Sequence, residues 1–361
     1  MDIITDYASR KARASDMAEY IHTLRDPKKR PDIERIHSDL SQCASYLVFN
    51  EYFTVDELRL VKAHTCKKHL LCPFCAMRRS GKFVAKNLPK VEQVISENRA
   101  RIPALVTLTV RNGPDLLERF NHLRRAHRRL NQRRRDHLKG KTVTEWGKVA
   151  GGITSYEFTK KDEGDWHPHI HALVLLDDYV DQAKLSAEWE AITGDSFIVD
   201  IRRIRGKANA GGLDIASGLL EVCKYALKFH DMTLPDTWHA FNVLRSRRLV
   251  DSFGLLRGVQ MPDNLLDDPL EGLPYIERHY RYRSATRAYD LVEVRNHETG
   301  IDPRHGNLDS HDRGSAPDDR PGQRPRRIAG GDPLCGVRSP GDSGGTVGPD
   351  CRKLPGTAGP G

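Results

Sequence analysis

The chain has 361 residues, enough for one large domain or two smaller domains with a buried core. Lysine and arginine number 58 against 49 acidic residues, giving a formal net charge of +9, which favours a polyanionic partner. The mean hydropathy is −0.60, and no run of about eighteen apolar residues occurs, so the sequence argues against a membrane protein. The first residues lack the apolar core of a secretory signal. We therefore expect a cytoplasmic chain.

The amino-terminal part divides into two predicted regions. Residues 1–42 are charged and predicted to be helical, with a break at residues 27–31, which contain two prolines. Residues 43–100 form a cysteine-rich region that ends in a helix predicted over residues 82–100. We expect this second region to bind zinc.

The cysteine pattern carries the zinc prediction. Seven cysteines without a secretion signal indicate a reduced chain with a metal site, not a disulfide framework. Cys72 and Cys75 flank a tight turn suited to two thiolates on one Zn²⁺, and Cys66 supplies a third ligand. Three unconnected thiols in a basic loop are the alternative. The candidates for the fourth ligand are Cys43, His64 and His69.

Two elements with contrasting periodicity follow. Alternation and β-branched residues predict a strand over residues 102–110, which Arg111 and the next residues end. Residues 115–139 form a predicted amphipathic helix with eight arginines. Charged helix faces are usually just solvated. Since nearly all these charges have one sign, however, we expect them to contact a polyanion.

A predicted hairpin of strands at residues 151–161 and 167–178 carries the most informative motif, His-Pro-His-Ile-His. Because side chains alternate between the faces of a strand, His169 and His171 point the same way, about 7 Å apart along it, with Ile170 buried behind them. His167 falls on the same face. This spacing indicates a pair of metal ligands. A hairpin with ordinary surface histidines is the alternative.

A metal ion held by two histidines needs a further ligand. Glu157 lies on the preceding strand, and the register of the hairpin can bring its carboxylate beside the imidazoles. A solvent-facing Glu157 is an equal alternative. Nitrogen and carboxylate ligands suit Mg²⁺ or Mn²⁺ when a substrate phosphate completes the coordination shell. We therefore predict a divalent-ion site at His169, His171 and Glu157.

A predicted helix over residues 215–229 holds a possible nucleophile. Glu221 and Lys228 lie four residues before and three after Tyr225, so all three share a face. A phenol that attacks a phosphodiester needs a nearby cation, and Lys228 can also hold the scissile phosphate. Glu221 can position and deprotonate a water. Taken alone, the set is more typical of ordinary helix-stabilising pairs.

Three segments together resemble a known family. TLTVRN at 107–112, HPHIHALVLL at 167–176 and EVCKYALKF at 221–229 are similar, in this order, to the motifs of rolling-circle plasmid replication initiators. These are His-hydrophobic-His (HUH) endonucleases. The chain most resembles the subgroup with one tyrosine and a glutamate four residues before it. The resemblance covers about residues 40–235, and a cysteine upstream of the cysteine-rich region in these initiators favours Cys43 as the fourth zinc ligand.

The resemblance implies a role for each matched residue. Tyr225 would attack the DNA and become linked to a 5′-phosphate, leaving a 3′-hydroxyl to prime synthesis. His169 and His171 would hold the divalent ion, and Glu221 would activate water in the terminating cleavage. The implied partners are plasmid origin DNA, single-stranded or as an extruded hairpin, and a host helicase and DNA polymerase, with a homodimer as one assembly. The expected DNA contacts are Arg78, Arg79, Arg111, Arg124, Arg125, Arg128 and Lys224.

The expected fold is α+β, with a central antiparallel sheet flanked by helices. The nicking domain would span residues 101–295, including a basic extension in which tyrosines and arginines alternate over residues 275–289. That extension suits either stacking on unpaired bases or an edge strand. Residues 296–361 are rich in Gly, Pro, Asp and Arg and are predicted to be disordered.

Other functions are compatible with parts of the pattern. A transposase or relaxase shares the chemistry, but the lone tyrosine with Glu221 favours a plasmid initiator. A zinc-dependent regulator that binds nucleic acid without catalysis would not need the Tyr225 hydroxyl. A metal hydrolase for small molecules is disfavoured by the basic balance.

Overall fold

The computed structural model describes residues 3–24, 32–160, 164–205, 214–223 and 231–297. The helices are α1 (Ile3–Thr23), α2 (Asp32–Gln42), α3 (Pro73–Glu97), α4 (Leu116–His137), α5 (Gln182–Thr193), α6 (Ile215–Cys223) and α7 (Leu234–Leu244). The strands are β1 (Tyr46–Tyr52), β2 (Glu57–Ala63), β3 (Ile102–Thr109), β4 (Val149–Thr159), β5 (His167–Leu176), β6 (Val199–Arg203), β7 (Val250–Gly254), β8 (Tyr275–Arg283) and β9 (Ala288–His297). This mixture of helices and antiparallel sheets agrees with the predicted α+β class.

The sequence also predicted a disordered C-terminal tail and no membrane-spanning segment. The predicted disordered tail lies outside the described residues from position 298 onward. Within the described part of the chain, no helix combines the length and apolar character needed to cross a bilayer.

The larger sheet places the histidine strand at its centre. Its order is β6-β3-β5-β4-β7, and all neighbouring strands are antiparallel. β4 and β5 pair as the predicted hairpin, and β5 is flanked on its other side by β3. The histidine strand β5 therefore lies in the middle of the sheet.

The two faces of this sheet are covered by different helices. His169, His171 and Leu173 share one face of β5, and α6 packs there. A Cβ at Gly218 of α6 would lie 3.1 Å from the Leu173 side chain, so glycine permits this close approach. On the opposite face, Phe120 of α4 packs against β4, with its ring centre 5.9 Å from that of Tyr156. The arginine-rich helix α4 and the histidines therefore lie on opposite faces of the sheet.

The smaller sheet has the order β2-β1-β8-β9 and joins residues 46–63 to residues 275–297. The tyrosine-arginine segment forms β8 and the start of β9. β8 lies between β1 and β9, so the edge-strand interpretation is wrong for residues 275–283, and only the last two residues of the segment belong to the edge strand β9. The tyrosines pack internally: the Tyr280 ring meets Phe49 edge-on, and the Tyr289 hydroxyl donates to the Ala44 carbonyl oxygen at 2.6 Å. This packing argues against base stacking by those two side chains.

Several elements differ from the predictions. Helix α3 starts at Pro73, well before residue 82, because proline is favoured in the first turn, where its missing N–H costs no hydrogen bond. β1 and β2 lie in a region for which only the cysteines were interpreted. Helix α7 was not predicted either. It begins after the Thr233 cap, whose side chain accepts from the Asp236 N–H, and Pro235 lies in its first turn.

Candidate functional site

The hairpin register brings an acidic side chain beside the histidines. Glu157 of β4 is directly opposite His169 of β5, and Ser155 is opposite His171. Residues in direct register on neighbouring strands project from the same face of a sheet. Glu157, His169 and His171 therefore converge at one point on the α6 side of the sheet.

The distances within this cluster are short. Glu157 Oε1 lies 2.9 Å from His169 Nε2, and Glu157 Oε2 lies 3.3 Å from His171 Nε2. One ligand atom from each residue lies within 4.8 Å of the others, the spacing of a metal-binding group. Glu157 is fully buried, and an ionised carboxylate in such a place needs a compensating cation or hydrogen bonds. The donor set of two imidazoles and a carboxylate fits a divalent ion. We call these three residues the Glu157 centre.

Neighbouring side chains orient two of the histidines. His171 Nδ1 is 3.2 Å from Thr107 Oγ1 on β3, which leaves its Nε2 directed at Glu157. His167 Nδ1 is 2.7 Å from Asn112 Oδ1, and His167 is not part of the ligand cluster. A partner on the second ring nitrogen fixes a ligand histidine's tautomer and orientation. Neither Thr107 nor Asn112 was predicted as a site residue, although both lie in the TLTVRN segment.

A cavity of about 700 Å³ lies over the Glu157 centre. The three histidines line one side of it, and side chains of β6 and α6 line another. Those opposing residues are Asp200, Arg202, Arg203, Asp214, Ser217 and Glu221. The predicted water-activating Glu221 therefore shares one cavity with His169 and His171, although about fifty residues separate them in the chain. Arg202 and Arg203 are cavity cations that no sequence motif indicated.

Three predicted residues of the tyrosine helix lie outside the described part of the chain: Lys224, Tyr225 and Lys228. Helix α6 is described as far as Cys223. Their predicted roles as phosphate contact, nucleophile and nucleophile-supporting cation remain predictions.

The cysteines form a second cluster, which contains Cys43, Cys66, Cys72 and Cys75. Cys43 Sγ lies 3.6 Å from Cys72 Sγ and 3.5 Å from Cys75 Sγ, and Cys66 Sγ lies 3.6 Å from Cys75 Sγ. Four thiolates at tetrahedral zinc would be separated by about 3.8 Å, given the usual Zn–S bond length. The sulfur positions therefore fit one zinc ion. We call this group the four-cysteine cluster.

The fourth member of the four-cysteine cluster is Cys43. Its sulfur joins the other three, and neither His64 nor His69 belongs to the group. Hydrogen bonds from the surrounding thiols, Cys66 first, hold the pKa of Cys43 well below its usual range. Hydrogen bonding to Cys43 raises the pKa of Cys72 and of Cys75. The ionisation of one thiol is therefore favoured, and the ionisation of the other thiols is opposed. A bound cation would stabilise the additional thiolates.

The two predicted DNA contacts at the start of α3, Arg78 and Arg79, lie in different environments. The Arg78 side chain is only 12% exposed and is 2.7 Å from Asp267, while its Nε donates to the Leu265 carbonyl oxygen. This placement argues against a DNA contact by Arg78, because the guanidinium is used inside the protein. Arg79 is half-buried and faces a different cavity.

The arginines of α4 also serve different purposes. Arg134 is buried and donates to the Val149 and Ala150 carbonyl oxygens, so it stabilises the start of β4. Arg125 and Arg128 are exposed and Arg124 is half-buried, and none of these lines the cavity over the Glu157 centre. Arg111, in contrast, is exposed just after β3, next to the Asn112 that contacts His167.

Comparisons with known protein families and with individual known proteins agree with each other. A family described as replication protein matches residues 57–290. A protein named "Protein rep" from Bacillus amyloliquefaciens is 30% identical over 292 residues, which cover 73% of this chain and 83% of that protein. Another "Protein rep", from a Bacillus species, is 30% identical over 281 residues, covering 70% of this chain and 88% of that protein. No solved structure matches the chain.

Proposed function

The chain belongs to the replication protein family, and from this membership and the geometry of its cavity we propose that it initiates rolling-circle replication of a plasmid. It would do so by nicking one strand of the origin with Tyr225 as nucleophile. The same chemistry serves transposases and relaxases, but the two relatives named "Protein rep" favour the replication role.

The observation that carries this proposal is the shared cavity of the Glu157 centre and Glu221. Tyr225 follows Glu221 by four residues, one helical turn along the same face if α6 continues. A nucleophile must come within about 3–3.5 Å of the atom it attacks. The β5 strand and α6 would therefore supply the two halves of a phosphodiester-cleaving site from opposite sides of one space.

The reaction divides among the chain's own residues. The Tyr225 oxygen attacks the phosphorus and loses its proton, while the bond to the 3′-oxygen breaks and that oxygen gains a proton. The product is a 5′-phosphotyrosine and a free 3′-hydroxyl. A Mg²⁺ or Mn²⁺ ion bound by Glu157, His169 and His171 would supply polarisation of the scissile phosphodiester. Lys228 would hold the phosphate, and Glu221 would deprotonate water in the terminating cleavage.

Two arginines lie among the carboxylates that line the cavity where a DNA strand would enter. Arg202 and Arg203 line the cavity beside the Glu157 centre and suit a phosphate backbone. Origin DNA would enter single-stranded or as an extruded hairpin, and a host helicase and DNA polymerase would extend the 3′-hydroxyl. The four-cysteine cluster would hold a structural zinc ion, because all four positions of a tetrahedral shell are taken by protein sulfur.

A nicking assay tests the proposal. The substrate is a supercoiled plasmid carrying the cognate origin, with Mn²⁺ or Mg²⁺ present. The wild-type protein is expected to convert it to the nicked circle and to remain on the 5′ end. Tyr225→Phe is expected to do neither, while Tyr179→Phe, whose ring is 74% exposed, serves as the matched control. A non-catalytic regulator would bind the plasmid and leave it supercoiled in all three samples.

A further inference from the structure

A second concentration of positive charge lies at the β7 edge of the larger sheet. The guanidinium of Arg124 lies 5.8 Å from the centre of the Phe120 ring on α4, and that of Arg247 lies 5.4 Å from the same ring. Burial and the Asp251 carboxylate raise the pKa of the nearby Tyr156 phenol, and the Arg128 and Arg248 charges oppose that rise. Like charges held this close repel one another, and exposed carboxylates beside them offset this repulsion only weakly.

A pocket of about 270 Å³ opens beside these residues. Its charged side chains are Arg79, Arg245, Arg247 and Arg248, and the rest of its lining is His69 with six aliphatic side chains. No carboxylate lines it among the residues that the structure describes. We call it the arginine pocket. It shares no lining residue with the cavity over the Glu157 centre.

The internal pairing of these arginines leaves positive charge in the pocket. Arg245 meets Asp32 at 2.9 Å and Arg248 meets Asp251 at 3.2 Å, and all four of these side chains are at least 37% exposed. Such solvent-exposed pairs hold their partners weakly. Arg79 Nε is buried and has no hydrogen-bond partner within the described ranges. Arg247 and Arg248 each donate their Nε to a backbone carbonyl oxygen, so a ligand with several acceptor oxygens would meet the terminal nitrogens of their guanidinium groups and Arg79 Nε.

The chemistry of the lining points to a phosphodiester. The guanidinium fork matches the oxygens of a phosphate, and arginine is preferred where such groups are recognised. The aliphatic walls suit the carbon face of an attached sugar. Exposed Arg125 and Arg128 continue the positive surface along α4, as a repeating chain of phosphates would require.

We propose that the arginine pocket holds a backbone phosphate of duplex DNA, while the cavity over the Glu157 centre holds the strand that is cut. This inference rests on the proposed nicking function, since it assigns the protein a second grip on the same DNA. The pocket would anchor the duplex beside the origin, and its contacts would be independent of base sequence.

Binding measurements on the full-length, zinc-loaded protein test this assignment. The probes are a short labelled duplex of arbitrary sequence and a labelled single strand carrying the nick sequence. The variants are Arg248→Gln, whose side chain is 64% exposed, and Arg247→Gln/Arg248→Gln. Arg283→Gln is the matched control, because Arg283 is comparably exposed and pairs with Asp290 in the smaller sheet. Zinc content and melting temperature establish that each variant is folded.

The double variant is expected to bind the duplex about tenfold more weakly, as for the loss of hydrogen bonds to a charged group. The slope of log affinity against log salt should become shallower by about one for each phosphate contact that a variant loses. The change in slope for Arg248→Gln should therefore be about half of the change for the double variant. Nicking of the single strand should stay at the wild-type rate. Arg283→Gln should match the wild type in every measurement.

The proposal is overturned if the double variant binds the duplex with wild-type affinity and salt slope. It is also overturned if inorganic phosphate binds the pocket while the substitutions leave duplex affinity unchanged, which would define a site for free anions. If duplex affinity falls as expected but even the wild-type protein fails to nick, the pocket assignment stands and the proposed nicking function fails.

Discussion

The two metal-capable clusters within the described ranges of the chain differ in how they are built. The four-cysteine cluster gathers sulfurs from residues 43–75, and three of its four cysteines are fully buried. The Glu157 centre takes its residues from two paired strands and lies beneath a cavity of about 700 Å³. The four-cysteine cluster can surround a metal ion with four protein ligands, whereas the Glu157 centre leaves space for a water or substrate ligand.

This difference matches the difference between structural and catalytic metal sites. Structural zinc sites are closed by four protein ligands, whereas catalytic sites keep a position for water or substrate. Among the described residues, three protein donors form the Glu157 centre, so a hard cation there would keep positions for phosphate oxygens. We therefore expect loss of the four-cysteine cluster to affect folding, and loss of the Glu157 centre to affect chemistry alone.

The largest effect is expected from Cys75→Ser. Removing one sulfur should release the zinc ion, and structural zinc contributes about 10 kcal/mol or more in small zinc domains, comparable to the whole stability of a protein. The variant should therefore lack zinc and lose its cooperative melting transition. Cys223→Ser is the control, since Cys223 is buried but lies outside the cluster. Equal zinc content and equal melting curves for the two variants would refute the structural role.

The next largest effect is expected from Glu157→Gln. The amide keeps the shape of the side chain but lacks the charge that pairs with a cation. Nicking should therefore fall at least about 100-fold. This loss exceeds the roughly 10- to 100-fold loss that is typical when a residue contacting a metal ligand is replaced. Melting temperature and zinc content should stay close to those of the wild type. Glu277→Gln is the matched control, because Glu277 is also buried and lies 2.6 Å from a histidine, His279. Unchanged nicking by Glu157→Gln would remove the centre from the mechanism.

A smaller effect is expected from Thr107→Val, which removes the partner of His171 Nδ1. Mn²⁺ should bind about 10- to 100-fold more weakly, because the imidazole loses the hydrogen bond that fixes its orientation. Thr154→Val is the control, since Thr154 is buried on the face of β4 away from the centre. Calorimetric titration of zinc-loaded protein with Mn²⁺ measures the difference. Equal affinities in the two variants would show that Thr107 does not orient the ligand.

The smallest effect concerns His127 on the far face of the same sheet. Burial lowers its pKa from the usual 6.5 to about 4. As the pH falls from about 6.5 to about 4, the unfolded chain binds a proton that the folded protein excludes, so stability decreases across this window. His127→Gln should lessen that decrease in denaturant titrations. A pH profile identical to that of the wild type would show that His127 is not its source.

The sequence predicted the parts of the site whose signal is local. Strict alternation of the histidines over residues 167–171 predicted that they share one face, and the two-residue spacer between Cys72 and Cys75 predicted a turn that brings two sulfurs together. The sequence can indicate these placements because the period of a strand and the shape of a tight turn are set within a few residues. The approach of Glu157 to His169 also depends only on the register of one hairpin.

Long-range placements could not be read in the same way. In the sequence, Arg78 and Arg134 resemble their exposed neighbours. In the structure, Arg78 pairs with Asp267, and Arg134 donates hydrogen bonds to carbonyl oxygens of β4. The pairing of β1 with β8 joins segments more than two hundred residues apart, and no local pattern encodes it. Arg202 was missed as a cavity residue because its role depends on where α6 crosses the sheet.

The most direct measurement is the identity of the residue that carries the DNA. A single strand containing the origin nick site is incubated with the protein and Mn²⁺, and the digested adduct is sequenced by mass spectrometry. The expected result is one 5′-phosphate-linked nucleotide on Tyr225, and no adduct with His169→Ala. An adduct on any other side chain, or an undiminished adduct in His169→Ala, would contradict it.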